Sequence, residues 1–300
     1  AFNGAEPVSA QTMERFARRF APSGLDPRAL APVYGLAECA LDLTFPPARR
    51  GVRVDYVDRE TLMRSGRAVH LGKEAAGARP FVSCGTVLAG YQVRIADESG
   101  RPLPERSIGR IEFTGPSVTR GYFNQPAATA ALFDGAWLDS GDLGYLADGE
   151  LFVTGRAKDM IIRGGHNIYP YDLEEAVGNI AGIRKGCVAV FGVRDEGQGS
   201  ERVVIVAETR EQDPARHDRM REAINAQAIA LIGGPADEIA FVPPQSLLKT
   251  SSGKLRRAAT RDRYVQGLLG GGSRPVWWQI TRMWVTGTAA RIVGVAQRSL

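Results

Sequence analysis

The sequence predicts an α/β and α+β protein, in which a β-rich unit is followed by a smaller α+β domain. Two observations carry this. Between Tyr91 and Val153, apolar and polar residues alternate in short runs separated by turn residues, the period of half-buried strands. After Gly155 the pattern changes to apolar runs interleaved with segments of helical spacing, the mixture of a small layered domain.

In chain order, Met13, Phe16, Ala17 and Phe20 recur at helical spacing over residues 9–21, and Ser9 suits the N-cap. Residues 22–32 read as a broken connection between Pro22 and Pro32. Residues 46–82 hold Pro46-Pro47, several arginines and a polar Gly/Ala stretch. They read as a long passage of poor periodicity, of the kind that is functional or disordered. Residues 91–95 and 108–114 alternate as strands, with Asp97-Glu98-Ser99-Gly100 as a turn between them. Asp148-Gly149 turns into a strand over residues 151–153.

Beyond Gly155, residues 160–162 make a short strand and Gly164-Gly165 a turn. Pro170 suits the first position of a helix bearing Leu173, Ala176 and Val177. Residues 187–193 and 203–207 suit buried strands. Met220, Ile224, Ala228 and Leu231 mark one face of a second helix, and residues 239–242 a last strand. The expected divisions are 1–156, 157–263 and a tail over 264–300.

The 300 residues are 44% apolar and 24% charged, enough for a sizeable core. The chain begins at Ala1 in mid-pattern, without an initiator Met or a signal-like segment, and reads as a piece of a longer protein. No run approaches the roughly 18 consecutive apolar residues of a membrane-spanning helix. The net charge of +5 suits an anionic ligand or an acidic carrier protein, and equally a solvated basic surface. Cys39, Cys84 and Cys187 lie far apart, form no CxxC pair and do not cluster with the histidines. That argues against a zinc site or a disulfide framework, and for a reducing cytoplasm.

Four segments carry the chemistry. Tyr34-Gly35-Leu36-Ala37-Glu38 places an aromatic ring, a flexible glycine and a carboxylate within one turn. A ring can stack on a purine, and a carboxylate is a hard ligand for Mg²⁺. In Trp137-Leu138-Asp139-Ser140-Gly141-Asp142-Leu143-Gly144, Asp142 stands next to a glycine, and its two acceptor oxygens suit the two hydroxyls of a ribose. The third segment runs from Gly155 to Pro170. Arg156 offers a planar fork for phosphate or ribose oxygens, and the change from β-rich to α+β falls at this point, as at an interdomain hinge. The fourth is Leu248-Lys249-Thr250-Ser251-Ser252-Gly253-Lys254-Leu255-Arg256, where a lysine follows a flexible Ser-Ser-Gly run. Taken singly, each reads as well as a helix start, a β-turn, a hairpin turn or a solvated basic loop.

In this order and spacing, the four segments resemble the adenylate-forming superfamily of acyl-CoA synthetases, peptide-synthetase adenylation domains and luciferases. The resemblance runs from about Asn3 to Arg263. Residues 115–122, from Gly115 to Tyr122, and Ala127-Ala128-Thr129 also resemble stretches of its fatty-acid-activating members. It implies that residues 1–156 are the β-rich rear part of a large AMP-binding domain, and that residues 157–263 are a small mobile lid. Gly4, Ala5 and Glu6 would line the adenine pocket and Tyr34, followed by Gly35, would stack on the base. Glu38 would ligate Mg²⁺. Asp142 would hold the ribose, assisted by Arg156. Lys158 would be the hinge and Lys254 the catalytic lysine, in preference to the neighbouring Lys249. ATP would be the co-substrate, and the product an acyl-AMP passed to a thiol.

Residues 39–84 lengthen the path from Glu38 to Gly85 and resemble the insertion of fatty acyl-AMP ligases. In those enzymes the insertion is thought to hold the small domain back from the CoA-using pose, so that the acyl group goes to the phosphopantetheine of an acyl carrier protein. The hinge loop Gly164-Gly165-His166-Asn167-Ile168-Tyr169-Pro170 is instead closer to CoA ligases, so free CoA stays open as the acceptor. The family's phosphate-cradling loop and most acyl-pocket walls lie upstream of Ala1, which implies little adenylation by these residues alone. A non-catalytic adenylate-binding relative therefore also stays open. Nucleic-acid binding through residues 254–263 has no recognisable motif behind it. Gly270-Gly271-Gly272-Ser273 is a linker by composition, and Trp277, Trp278 and Trp284 follow among arginines. Such a tail suits peripheral membrane contact, a lead into a further domain, or a helix packed back on the lid.

Overall fold

The computed structural model describes residues 1–194, 200–251 and 253–269. The glycine linker and the tryptophan-bearing tail lie outside the described residues. Among the described residues, no helix is long and apolar enough to cross a membrane.

The first lobe is organised by an antiparallel sheet in the order Glu150–Arg156, Trp137–Ala147, Gly109–Thr114, Gln92–Ala96. Both faces of this sheet are covered. Leu151 and Val153 pack with Ile95, Ile111, Phe113 and Leu138 on one side. Phe152, between them, packs with Tyr145, Leu143 and Phe81 on the other, as period-2 alternation dictates. Phe152 lies flat on Tyr145, with ring centroids 4.9 Å apart. The helix Ala10–Phe20 forms as expected, and Ser9 Oγ caps it by accepting from Thr12 N at 3.2 Å.

The expected unstructured passage over 46–82 is corrected by the structure. Val54–Asp58 pairs antiparallel with Ala78–Val82 along five residue pairs, and the helix Arg59–Ser65 follows directly, with Asp58 as its N-cap. Its apolar residues are too few and too scattered to show a period, because a polar network holds much of the unit. Asp55, 5% exposed, accepts hydrogen bonds from Arg106 Nη1 at 2.9 Å and Tyr145 OH at 2.8 Å, and pairs with His70 Nδ1 at 2.8 Å. This buried carboxylate joins the added hairpin to the main sheet.

The second lobe has a three-stranded sheet. Ile183–Arg194 runs antiparallel to Glu201–Thr209, and Glu238–Val242 runs parallel to the latter. The helices Pro170–Gly178 and Pro214–Ile232 cover one face through Leu173, Val177, Met220, Ile224 and Ala228. The other face is covered by Leu247, Leu255 and Tyr264. Tyr264 lies on the helix Arg257–Val265, which hydrophobic patterning misses: only Thr260 in it is buried, and its ends are arginine-rich.

The lobes meet through the added hairpin. Met63 enters the core of the second lobe. Arg79, 4% exposed, lies between the rings of Phe81 and Tyr169 at 4.6 and 4.7 Å, and pairs with Asp172 at 2.6 Å. Ser9 Oγ also donates to Glu175 Oε1 at 2.6 Å.

Asp55→Asn leaves the half-buried Arg106 guanidinium and the buried Tyr145 hydroxyl without their acceptor charge. Breaking a buried pair in this way costs about 3 kcal/mol, so the urea midpoint of the variant falls markedly while the slope of the transition stays constant.

Candidate functional site

Phe2–Asn3 pairs parallel with Ala31–Pro32, and Val33 N donates to Asn3 O at 2.8 Å. Residues 4–6 and Tyr34 therefore leave adjacent carboxyl ends of two parallel strands, the location at which α/β sheets bind ligands. The turn after Tyr34 is tight. A Cβ at Gly35 would lie 1.5 Å from the carbonyl oxygen of Leu41, so only glycine fits. Ala5, at φ 67°, holds a left-handed conformation that re-aims the chain toward Glu6.

The second component comes from the main sheet. The register of Trp137–Ala147 against Gly109–Thr114 shifts between Asp139 and Leu143, and Gly141 sits at φ 73°. The interruption is an Asx and Ser turn: Asp139 Oδ1 accepts from Gly141 N at 2.8 Å, and Ser140 Oγ accepts from Asp142 N at 3.1 Å. Such irregularities re-aim side chains. Here the shift breaks an 11-residue strand at Asp142, which sequence reading took for a turn. Opposite Asp142 in the ladder stands Arg156.

The structure brings Tyr34, Asp142 and Arg156 into one group. Tyr34 OH donates to Asp142 Oδ2 at 2.8 Å, and Arg156 Nε lies 3.3 Å from Oδ1. Burial pushes the Asp142 carboxyl above the usual carboxylate range, against the Tyr34 hydrogen bond and the Arg156 charge, which lower it. Burial, then the Asp142 charge, pushes the Tyr34 phenol well up, so it remains a donor. The Tyr34 ring is 9% exposed and packs with Cys39, Leu43 and Cys84. Its main visible task is to brace Asp142, a role sequence reading did not assign.

Glu38 lies on the turn Ala37–Cys39, half-buried, and its Oε1 accepts from Tyr122 OH at 2.7 Å. Among the described residues, it makes no hydrogen bond to the Tyr34–Asp142–Arg156 group. Nor do the described residues hold any cluster of three or more His, Cys, Asp or Glu suited to a metal.

Lys158 is exposed on the turn Ala157–Asp159, immediately after the last strand of the first lobe. Next to it, Asp159 pairs with Arg257, and Arg257 also forks onto Glu174 with two bonds of 2.8 Å. Arg257 roots the loop of residues 248–256 at this point. The described residues of that loop are tied to one another on either side of its Ser-Ser-Gly run. Thr250 N donates to Lys254 O at 2.8 Å, Arg256 N to Leu248 O at 2.8 Å, and Lys249 pairs with Leu255 as a β-bridge. Lys249 Nζ donates to the buried Cys187 Sγ at 3.3 Å, whereas Lys254 is exposed. Burial, then the charges of Glu175 and Glu6, push the Tyr171 phenol up. The clamp made by Arg257 was invisible in the sequence, where it is one of several arginines in a basic run.

Residues 1–123 match the family of AMP-binding enzymes. A protein of Caulobacter vibrioides, provisionally named an acyl-CoA synthetase, is 37% identical over 89% of this chain and 46% of its own length. The long-chain-fatty-acid–AMP ligase FadD32 of Mycolicibacterium smegmatis is 33% identical over 90% of this chain and 49% of its own. A solved structure from a study of fatty acyl-adenylate ligases of E. coli and L. pneumophila matches with a TM-score of 0.81 and 38% identity, over 89% of this chain and 47% of that one. The chain thus spans about half the length of the curated relatives it matches.

Tyr34→Phe removes the hydrogen bond to the Asp142 carboxylate, an interaction of roughly 1.5–3 kcal/mol for a charged acceptor. If Asp142 holds a ribose, as the sequence resemblance implies, the affinity of the full-length protein for ATP, read by fluorescence of a labelled analogue, falls about tenfold. On that same expectation the ribose hydroxyls use the ionised carboxylate as acceptor, so binding would weaken as pH falls through the folded pKa of Asp142. Because burial raises that pKa, the loss starts at a higher pH than an exposed aspartate would give.

Proposed function

The chain belongs to the family of AMP-binding, adenylate-forming enzymes, and on that premise we propose that the whole protein activates a fatty acid as its acyl-AMP. The observation that carries the reading is the Tyr34–Asp142–Arg156 group at the ends of the parallel strand pair, beside the junction into the second lobe. A carboxylate with its geometry fixed from two sides suits the vicinal hydroxyls of a ribose. Residues 4–6 and Tyr34 border the adenine. The division at Arg156 and Ala157, with Lys158 as hinge and residues 157–263 as a moving lid, is part of this proposal.

In the reaction, an oxygen of the fatty carboxylate bonds to the α-phosphorus of ATP, and the bond to pyrophosphate breaks. Lys254 stabilises the charge that grows on the phosphoryl oxygens, a gain larger in the transition state than in the ground state. Glu38 fits a Mg²⁺ ion held mainly by phosphates and water, since one or two carboxylates suffice for such an ion. When bound, the ion supplies charge neutralisation on the phosphates.

The acceptor we propose is the phosphopantetheine thiol of an acyl carrier protein. The contact of the added hairpin with the second lobe, through Met63 and the Arg79–Asp172 pair, supports it, because this contact opposes rotation of the lid. One observation favours acyl-CoA formation instead: the strands Ile161–Arg163 and His166–Ile168 form a hairpin over Gly164-Gly165, in the segment whose wording is closer to CoA ligases.

Lys254→Ala in the full-length enzyme lowers ATP–pyrophosphate exchange with laurate by roughly 10²–10³, while Lys249→Ala retains most of it. Equal losses in the two variants would remove Lys254 from its role. With laurate and ATP supplied, the enzyme loads a holo carrier protein much faster than it forms lauroyl-CoA, as read by mass spectrometry. Rapid lauroyl-CoA formation ends the carrier reading.

A further inference from the structure

Residues 115–122 have no task in the chemistry above, yet they grip the turn that carries Glu38 at three points. Ser117 Oγ donates to Cys39 O at 2.5 Å, Thr119 N to Glu38 O at 2.8 Å, and Tyr122 OH to Glu38 Oε1 at 2.7 Å. The first two hold the backbone of the turn. The third reaches the functional end of the side chain. Tyr122 is itself held in place: its N–H donates to Thr129 Oγ1 at 2.9 Å, and the preceding Gly121 N–H donates to Thr119 Oγ1 at 3.2 Å. Its ring borders an open hollow of about 580 Å³ that Arg120, Phe123 and Pro126 also line.

We propose that Tyr122 is a positioning residue for Glu38. Its hydroxyl fixes one carboxylate oxygen, so that the other is presented to the divalent cation accompanying ATP. A glutamate has three rotatable side-chain bonds, and a ligand that must lose that freedom on capturing the ion binds it more weakly. Tyr122 removes much of the freedom beforehand. Groups that orient a ligating side chain commonly change metal affinity by about 10–100-fold. Because Tyr122 is 42% exposed and its bond competes with water, the lower end of that range applies.

This proposal rests on the reading of Glu38 as the cation ligand, and the experiment separates the two. Mn²⁺ binding to the full-length protein is followed by electron paramagnetic resonance in the presence of ATP. Glu38→Ala sets the reference and loses most of the affinity. Tyr122→Phe, which keeps the ring and its packing, weakens Mn²⁺ binding about tenfold, with metal-free nucleotide affinity and melting temperature unchanged. In the Glu38→Ala background, Tyr122→Phe adds nothing further. Unchanged Mn²⁺ affinity in Tyr122→Phe, against a loss in Glu38→Ala, overturns the role of Tyr122 and leaves that of Glu38 standing. An equal loss of metal-free nucleotide binding assigns Tyr122 a merely structural part and overturns the proposal too. Unchanged Mn²⁺ affinity in Glu38→Ala removes the reading of Glu38 itself.

Discussion

Arg257 is the interaction on which the geometry of the second lobe depends. It is 16% exposed, and its guanidinium serves Asp159 at the junction between lobes and Glu174 on the helix Pro170–Gly178. Burial works against its charge, but Glu174 and Asp159 outweigh burial and raise its pKa. Glu174 in turn accepts from Val190 N at 3.0 Å, on the central sheet. One side chain thus ties the junction, a helix, the sheet and the base of the Lys254 loop into a single unit. A buried charge network of this kind adds little net stability over an apolar core, but it leaves few alternative arrangements. In the proposed cycle, Lys254 then travels only as the whole lobe travels.

The contact between lobes is of a different kind. Arg79 is buried between two rings with its Nε on Asp172, yet the hydroxyl of Tyr169 beside it finds no hydrogen-bond partner among the described residues. Arg59, half-buried nearby, keeps two unpartnered donors, and burial lowers its pKa. Incomplete satisfaction lowers the cost of separating such a surface, because the donors regain water. The interface therefore combines a firm apolar anchor, Met63, with a polar zone poised to reopen. That combination suits a hold on the lid that delays movement without forbidding it.

What the sequence made legible follows from how much each element depends on local pattern. The helix Ala10–Phe20 and the Pro-started helix Pro170–Gly178 carry apolar residues at helical spacing, the strands of the second lobe are apolar runs, and all of these form as expected. The strand Trp137–Ala147 hides behind its own Asx turn, and the helix Arg257–Val265 behind arginines whose partners lie far away in sequence. The added hairpin was read as a loop because Asp55, a polar hub, replaces part of an apolar core. At the candidate site, residue types and spacing pointed to Asp142 and Arg156. The hydroxyl of Tyr34 on Asp142 and that of Tyr122 on Glu38 join residues 108 and 84 positions apart, which no local motif encodes.

Those two tyrosines follow one design. Each ends a hydrogen bond on a carboxylate that the proposed chemistry needs ionised, and each comes from a segment held for independent reasons: the Gly35 turn for Tyr34 and the Thr129 hydroxyl contact for Tyr122. A neutral donor suits this purpose better than an arginine or lysine. It restricts the carboxylate without neutralising it, so the charge remains available to a ribose or a metal ion. Arg156, among the described residues the one cation placed on Asp142, is 60% exposed and approaches only to 3.3 Å, which leaves it able to turn toward the proposed nucleotide. The site is thus held by phenols and left electrically unsaturated, the condition under which an incoming ligand gains most from binding.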